Sequence, residues 1–310
     1  MGGNAIQNSV RLTPQRFKEI GAELLALLAP HFVRCAIPAP APGKESHGDV
    51  DILVVRHPNC NFDPTTIGSK EVNVNTYLTS FEYKGHQIDL ITVEEPFFDW
   101  QLFMLSFGYV GHLLGMVSKR LGISLSTDGV HVRRDYPGFV TDIRLSADPK
   151  LYCDFMGLDH QRWTLGFATV EEGFGWMSTS KFFTAHALKQ LTAREKKRRR
   201  KRDMVQSFFK WLDNYVDTRP PTESVLEEAL DFFGKREEWN AIEREANRRE
   251  EFSQKFNGHV IQKMTGLNGK KLGDLMKHLK EEHGDALGVM SMDEMEAHVH
   301  DTLLSMNGDS

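Results

Sequence analysis

Residues 49–55, read as Asp-Val-Asp-Ile-Leu-Val-Val, constrain the fold more than any other part of the chain. An apolar run of this length, rich in β-branched residues and closed by His57-Pro58, predicts a buried strand over residues 50–55. Along a strand, residues i and i+2 share a face. Asp49 and Asp51 therefore converge on one side just where the strand leaves its loop. A second apolar run, "HQIDLITV" at 86–93, carries a single central acid, Asp89. Like charges on neighbouring strands repel unless something positive sits between them.

The rest of the chain fills in around these runs. Thr13-Pro14 is an N-cap followed by proline in the first turn, and Phe17, Ile20, Leu24, Leu27 and Leu28 recur at helical spacing over 14–29. "PAPAP" at 38–42 is a stiff connector. "EVNVNTYL" is another strand candidate, and residues 59–70 are a loop. The stretch after Pro96, through "FFDWQLFMLSFGYVGHLLGMVSKRLG", predicts helix stopped at Gly122. "ISLSTDGVHV" predicts two strands joined at Asp128-Gly129. From about Leu151 the pattern is helical, with one helix expected over about 223–256 and another in "GLNGKKLGDLMKHLKEEHG". The expected class is α+β: a mixed sheet flanked by helices over 1–145, then a mainly α-helical domain over 146–310.

Three carboxylates on adjacent strands make a hard-oxygen site suited to Mg²⁺ or Mn²⁺. Two such ions about 3.5–4 Å apart activate an attacking hydroxyl and steady a leaving pyrophosphate. The plainer readings are a solvated strand end for the Asp-x-Asp and an edge-strand carboxylate for Asp89.

"GKESHGDVDILVVRHP" resembles the catalytic strand of the DNA polymerase beta-like nucleotidyltransferases, specifically the family X polymerases. The resemblance continues through "HQIDLITVEE" and "FMLSFGYVGHLLGMVSKRLGISLSTDGVHV", covering about residues 33–133. It implies a nucleotidyltransferase palm with Asp49, Asp51 and Asp89 as catalytic residues and as ligands of two Mg²⁺ (or Mn²⁺). Asp89 would also be the base for the acceptor hydroxyl. Gly43, Ser46 and Gly48 would shape the loop around the triphosphate of ATP or another NTP, and Ser106 and Gly108 would sit near its sugar. The family carries a Gly-Ser pair shortly before its Asp-x-Asp. This chain has Ala36-Ile37 and three prolines there; proline cannot donate an N–H to phosphate, which implies rearranged or weakened nucleotide binding. The order of palm then helices is similar to tRNA nucleotidyltransferases and poly(A) polymerases, so the acceptor implied is an RNA 3′ end more than DNA. A catalytically inactive palm that binds nucleic acid or a partner, and an antitoxin-like transferase acting on a protein, are the alternatives.

Residues 194–202, "REKKRRRKR", hold eight basic residues and one acidic. Lys196, Lys197, Arg198, Arg199, Arg200, Lys201 and Arg202 are candidates for phosphate-backbone contact, a nuclear-targeting signal, or a solvated helix face. The 310-residue chain is 40% hydrophobic and 26% charged with a net charge of −5, as expected of a soluble globular protein. Its three cysteines form no CxxC pair, which excludes a zinc ribbon or disulfide framework and fits a reducing, cytoplasmic compartment, or a nuclear one if the basic run is a signal. No signal peptide and no membrane span is expected. No GxxxxGK[ST] is present, which argues against a P-loop ATPase. His298-x-His300 is expected in a frayed tail, as an adventitious metal site at most. Oligomeric state is not readable from the sequence.

Overall fold

The computed structural model describes residues 5–136, 139–190, 196, 203–217 and 224–308. It is an α+β protein whose chain divides into two units. One comprises residues 1–133 and 142–233, the other 134–141 and 234–310. The boundary expected at 145 falls inside the first unit.

Helix α1 spans Pro14–Leu28, with the Thr13 hydroxyl accepting the Arg16 N–H at 3.2 Å as its N-cap. Five strands follow: β1 Phe32–Ala36, β2 Asp49–Arg56, β3 Val72–Val74, β4 Leu78–Tyr83 and β5 His86–Thr92. They form one mixed sheet in the order β1-β2-β5-β4-β3. Strands β2 and β5 run parallel at its centre, and the other pairings are antiparallel. Parallel neighbours need a long crossover; here the β3–β4 hairpin lies within it.

Alternation along β2 decides what each face does. Val50, Ile52 and Val54 are fully buried with Phe81, Ile88 and Leu90 against Ile20, Leu24 and Leu28 of α1. Each such side chain contributes about 1.5–3 kcal/mol by leaving water. A slip of one residue would lose those terms and drive two carboxylates beneath the helix, so the register is fixed. The opposite face changes character along its length. Asp49 and Asp51 occupy its beginning, while Leu53 and Val55 pack with Val93 and Phe98 at its far end.

The apolar stretch after Pro96, expected as continuous helix, is two: α2 Phe98–Leu105 and α3 Val110–Arg120, bent by 98°. The break has a backbone cause. Ser106 is extended, and Phe107 and Gly108 both have positive φ. Past the corner, a Cβ on Gly111 would meet the Met104 carbonyl oxygen at 2.2 Å, so only glycine permits this approach. Among the described residues no single helix is long and apolar enough to cross a membrane. Strands β6 Ile123–Ser126, β7 Gly129–Tyr136 and β8 Phe139–Ser146 form a separate three-stranded sheet. Helices α4 Pro149–Met156, α5 His160–Leu165, α6 Val170–Ser178, α7 Ala185–Lys189, α8 Asp203–Asp213 and α9 Leu226–Phe232 complete the first unit.

The second unit holds α10 Arg236–Lys255, α11 Gly258–Thr265, α12 Gly269–His283 and α13 Met292–Gly308. Its core is Phe256, Ile261, Leu275, Leu279, Leu287, Met295 and Val299. The single helix expected over 223–256 is divided into α9 and α10 by Gly234, whose positive φ ends the first. The frayed tail expected around His298 is corrected too: it is α13, fastened by Met295 and Val299, with the His298 ring 4.2 Å from that of His283.

Candidate acidic site

Each of the three aspartates is placed by the sheet. Asp51 pairs with Asp89 and Asp49 with Gln87 in the β2–β5 register, so all four side chains rise on one face. Asp49, Asp51 and Asp89 each offer a carboxylate oxygen, and these oxygens lie within 4.8 Å of one another. Asp89 is buried, Asp49 half-buried and Asp51 exposed.

Electrostatics follow from that crowding. The Asp51 carboxyl is pushed up to about 7, first by the protein surrounding it and then by the charges of Asp49 and Asp89, with Lys44 opposing. Asp51 is exposed to solvent on one side and has protein packed around the rest of its carboxyl. Burial raises Asp89 as well, against hydrogen bonds from Ser80 and Gln87 that lower it. Asp51 and Asp89, both raised, favour a bound proton or a cation between them. The donor set, oxygen only with no thiolate or imidazole, matches a hard divalent ion such as Mg²⁺.

The loop leading into β2 is fastened from two sides. Leu12 and His47 exchange backbone hydrogen bonds of 2.8 and 2.9 Å, His47 stacks on Phe17 with ring centroids 4.1 Å apart, and Arg11 donates to the Ser46 hydroxyl at 3.0 Å. Ser46 is thus engaged by Arg11. Gly43 is exposed with φ of 68°, and Gly48 is buried beside Asp49. On the other side, the Ser106 hydroxyl accepts the Ala39 N–H at 3.2 Å and donates to the Leu102 carbonyl at 2.7 Å, while the Phe107 N–H meets the Ala39 carbonyl. Ser106 is buried, and a Cβ at Gly108 would lie 3.5 Å from that of Ala41. Ser106 and Gly108 therefore hold the proline-rich connector against the α2–α3 corner.

Of the basic candidates, Lys196 is described and exposed. Lys197, Arg198, Arg199, Arg200, Lys201 and Arg202 lie outside the described residues. Sequence reasoning passed over Gln87, Ser80 and Lys44, which surround the acids. The period-two rule that paired Asp49 with Asp51 also sets Gln87 beside Asp89 and was the available signal. No family model and no curated protein matches the chain.

Proposed function

We propose that this protein is a nucleotidyltransferase with a DNA polymerase beta-like palm, moving a nucleoside monophosphate from an NTP to a hydroxyl acceptor, with an RNA 3′ end as the acceptor class. The observation that carries the reading is the convergence of Asp49, Asp51 and Asp89 from two parallel strands onto one point. In this reading Asp49, Asp51 and Asp89 hold Mg²⁺ or Mn²⁺, two per site, which when bound neutralise triphosphate charge and polarise the phosphoryl oxygens. Asp89, fixed at its carboxylate by neighbours, accepts the proton of the attacking hydroxyl. Lys44 brings positive charge to the entrance, beside Asp51. At the exposed turn the Lys44 N–H is turned to the Ala41 carbonyl at 3.4 Å, which leaves the Lys44 ammonium as the donor to the triphosphate. The basic run beginning at Lys196 suits a polyanionic acceptor.

A non-catalytic palm that binds RNA or a partner is the second reading, favoured by one observation. Pro38, Pro40 and Pro42 have no N–H, and the Ala39 N–H is taken by Ser106, so the connector offers phosphate few donors.

Incubation with labelled NTPs, Mg²⁺ and total RNA, with and without EDTA, separates the two. The transferase reading expects EDTA-sensitive label on RNA, lost in Asp49→Asn and Asp51→Asn while both remain folded. Full activity in either variant overturns it. Salt-sensitive RNA binding without incorporation supports the binding module, and label on polypeptide points to a protein acceptor.

A further inference from the structure

We propose that Gln87 is the positioning residue for Asp89, and that the amino-terminal arm, residues 5–12, belongs to the acidic site because it locks Gln87 in place; this rests on the metal-dependent reading of the site given above. Gln87 is 2% exposed. Its Nε2 donates to both carboxylate oxygens of Asp89, at 3.0 and 3.1 Å. Its Oε1 accepts the backbone N–H groups of Ala5 at 2.8 Å and Ile6 at 3.2 Å. A carboxylate only accepts and a backbone N–H only donates, so these partners admit one orientation of the amide. Turning it over would place Oε1 against two carboxylate oxygens and Nε2 against two N–H groups.

The arm is itself tied to the sheet. The Asn73 side chain donates to the Ala5 carbonyl at 2.7 Å, and the Gln7 N–H meets the Glu71 carboxylate at 3.1 Å. The Val10 N–H reaches the Gly85 carbonyl at 2.8 Å, and the Val10 carbonyl lies 2.7 Å from His86 Nδ1. Orientation thus passes from the backbone of the arm through Gln87 to Asp89. A carboxylate oxygen has two lone-pair sites. Gln87 uses one on each Asp89 oxygen and Ser80 a third, which sets the carboxylate plane and leaves one site for a cation or for the acceptor's proton. A buried side chain that holds a ligand and is itself held by backbone donors is an orienting group, of the kind whose loss weakens metal sites without removing a ligand.

Mn²⁺ binding to the 310-residue chain, followed by electron paramagnetic resonance, tests this beside transfer kinetics. Gln87→Met keeps the length and apolar bulk but neither donates nor accepts as the amide does. Mn²⁺ affinity and kcat are each expected to fall about 10–100-fold while KM for the NTP is unchanged. Ala5→Pro removes one arm N–H at an exposed residue and leaves Gln87 and Asp89 intact; a smaller loss in the same two quantities is expected, and this variant decides the matter where Gln87→Met does not fold. Folded variants with parental Mn²⁺ affinity and kcat overturn the proposal. Failure of the site itself shows separately, as parental protein whose Mn²⁺ binding is absent or indifferent to Asp51→Asn. The Mn²⁺ readout stands even for a palm that transfers nothing.

Discussion

Asp51 stands directly across from Asp89 in the parallel register of β2 and β5, and Asp49 lies two residues before Asp51 on the same face. Backbone hydrogen bonding of two central strands therefore fixes a repulsive arrangement of charge. The strands do not separate to relieve it, because Val50, Ile52, Ile88 and Leu90 are buried on the opposite face. Stability of the sheet is set against comfort of the acids, as at sites built for an ion or a proton.

The pH dependence of stability should show this. In the folded protein Asp51 holds its proton up to about 7, against an ordinary value of 3.8. Between those values the native state binds more protons than the unfolded chain, so this contribution to stability falls as pH rises from about 4 to about 7. Asp89, also raised, acts in the same direction. In EDTA, Asp51→Asn should therefore be more stable than the parent at pH 8 by about 1 kcal/mol, the water-like end of the range for charges this close, since Asp51 is exposed. At pH 3.5 the difference should vanish. Mn²⁺ should raise the thermal midpoint of the parent at pH 8 and leave the variant unmoved. Superimposable pH profiles for the two proteins would count against a crowded acidic site.

Ser106 separates two roles. As a tie between the connector and α2, Ser106→Ala leaves the Ala39 N–H without its acceptor, at a cost of about 1–3 kcal/mol of stability. As a contact to the nucleotide sugar, it would raise KM for the NTP and leave stability unchanged. The geometry predicts the first. Urea midpoints and KM measured on the same preparation distinguish them.

Much of this is legible in the sequence. Apolar runs rich in β-branched residues mark β2 and β5, and the period-two direction of side chains puts the acids on one face, because side-chain direction in a strand is a local property. Strand β1 escaped because it is an edge strand whose residues are mostly half-buried, so its sequence lacks contrast between faces: Val33 is 47% exposed beside Phe32 at 4%. Strand β8 does alternate, with Ile143 and Leu145 buried, but was passed over. The corner between α2 and α3 is hidden because α2 shows little contrast between its faces and its apolar residues run on into α3. Gln87 is harder in principle. The period-two rule sets it beside Asp89, but nothing local shows that its amide is held by backbone groups of residues 5 and 6, more than 80 positions away.

Two glycines of α3 should respond with opposite signs. A Cβ at Gly111 meets backbone, the Met104 carbonyl oxygen, at 2.2 Å, and backbone cannot rotate away. Gly111→Ala should cost about 1–3 kcal/mol as an overpacked contact. A Cβ at Gly115 meets nothing within 4 Å. Gly115→Ala should gain about 0.5–1 kcal/mol from helix propensity alone. Chemical denaturation of the pair tests the corner without reference to activity, and equal effects would mean that α2 and α3 do not meet as described.

Helix α13 gives the last test, one that a frayed tail would fail. Met295 is fully buried and Val299 is 2% exposed in the core of the second unit. Met295→Ala removes side-chain volume from that core and should destabilise it by about 2–5 kcal/mol, depending on how far Leu275, Leu279 and Leu287 close the gap. The loss should be local to its own unit. Amide hydrogen exchange should accelerate in α11, α12 and α13 and stay unchanged in β2 and β5, whose protection comes from the separate core around Val50, Ile52 and Ile88. Uniform acceleration through both units would show that they unfold as one, and no change anywhere would show that α13 contributes nothing to the core.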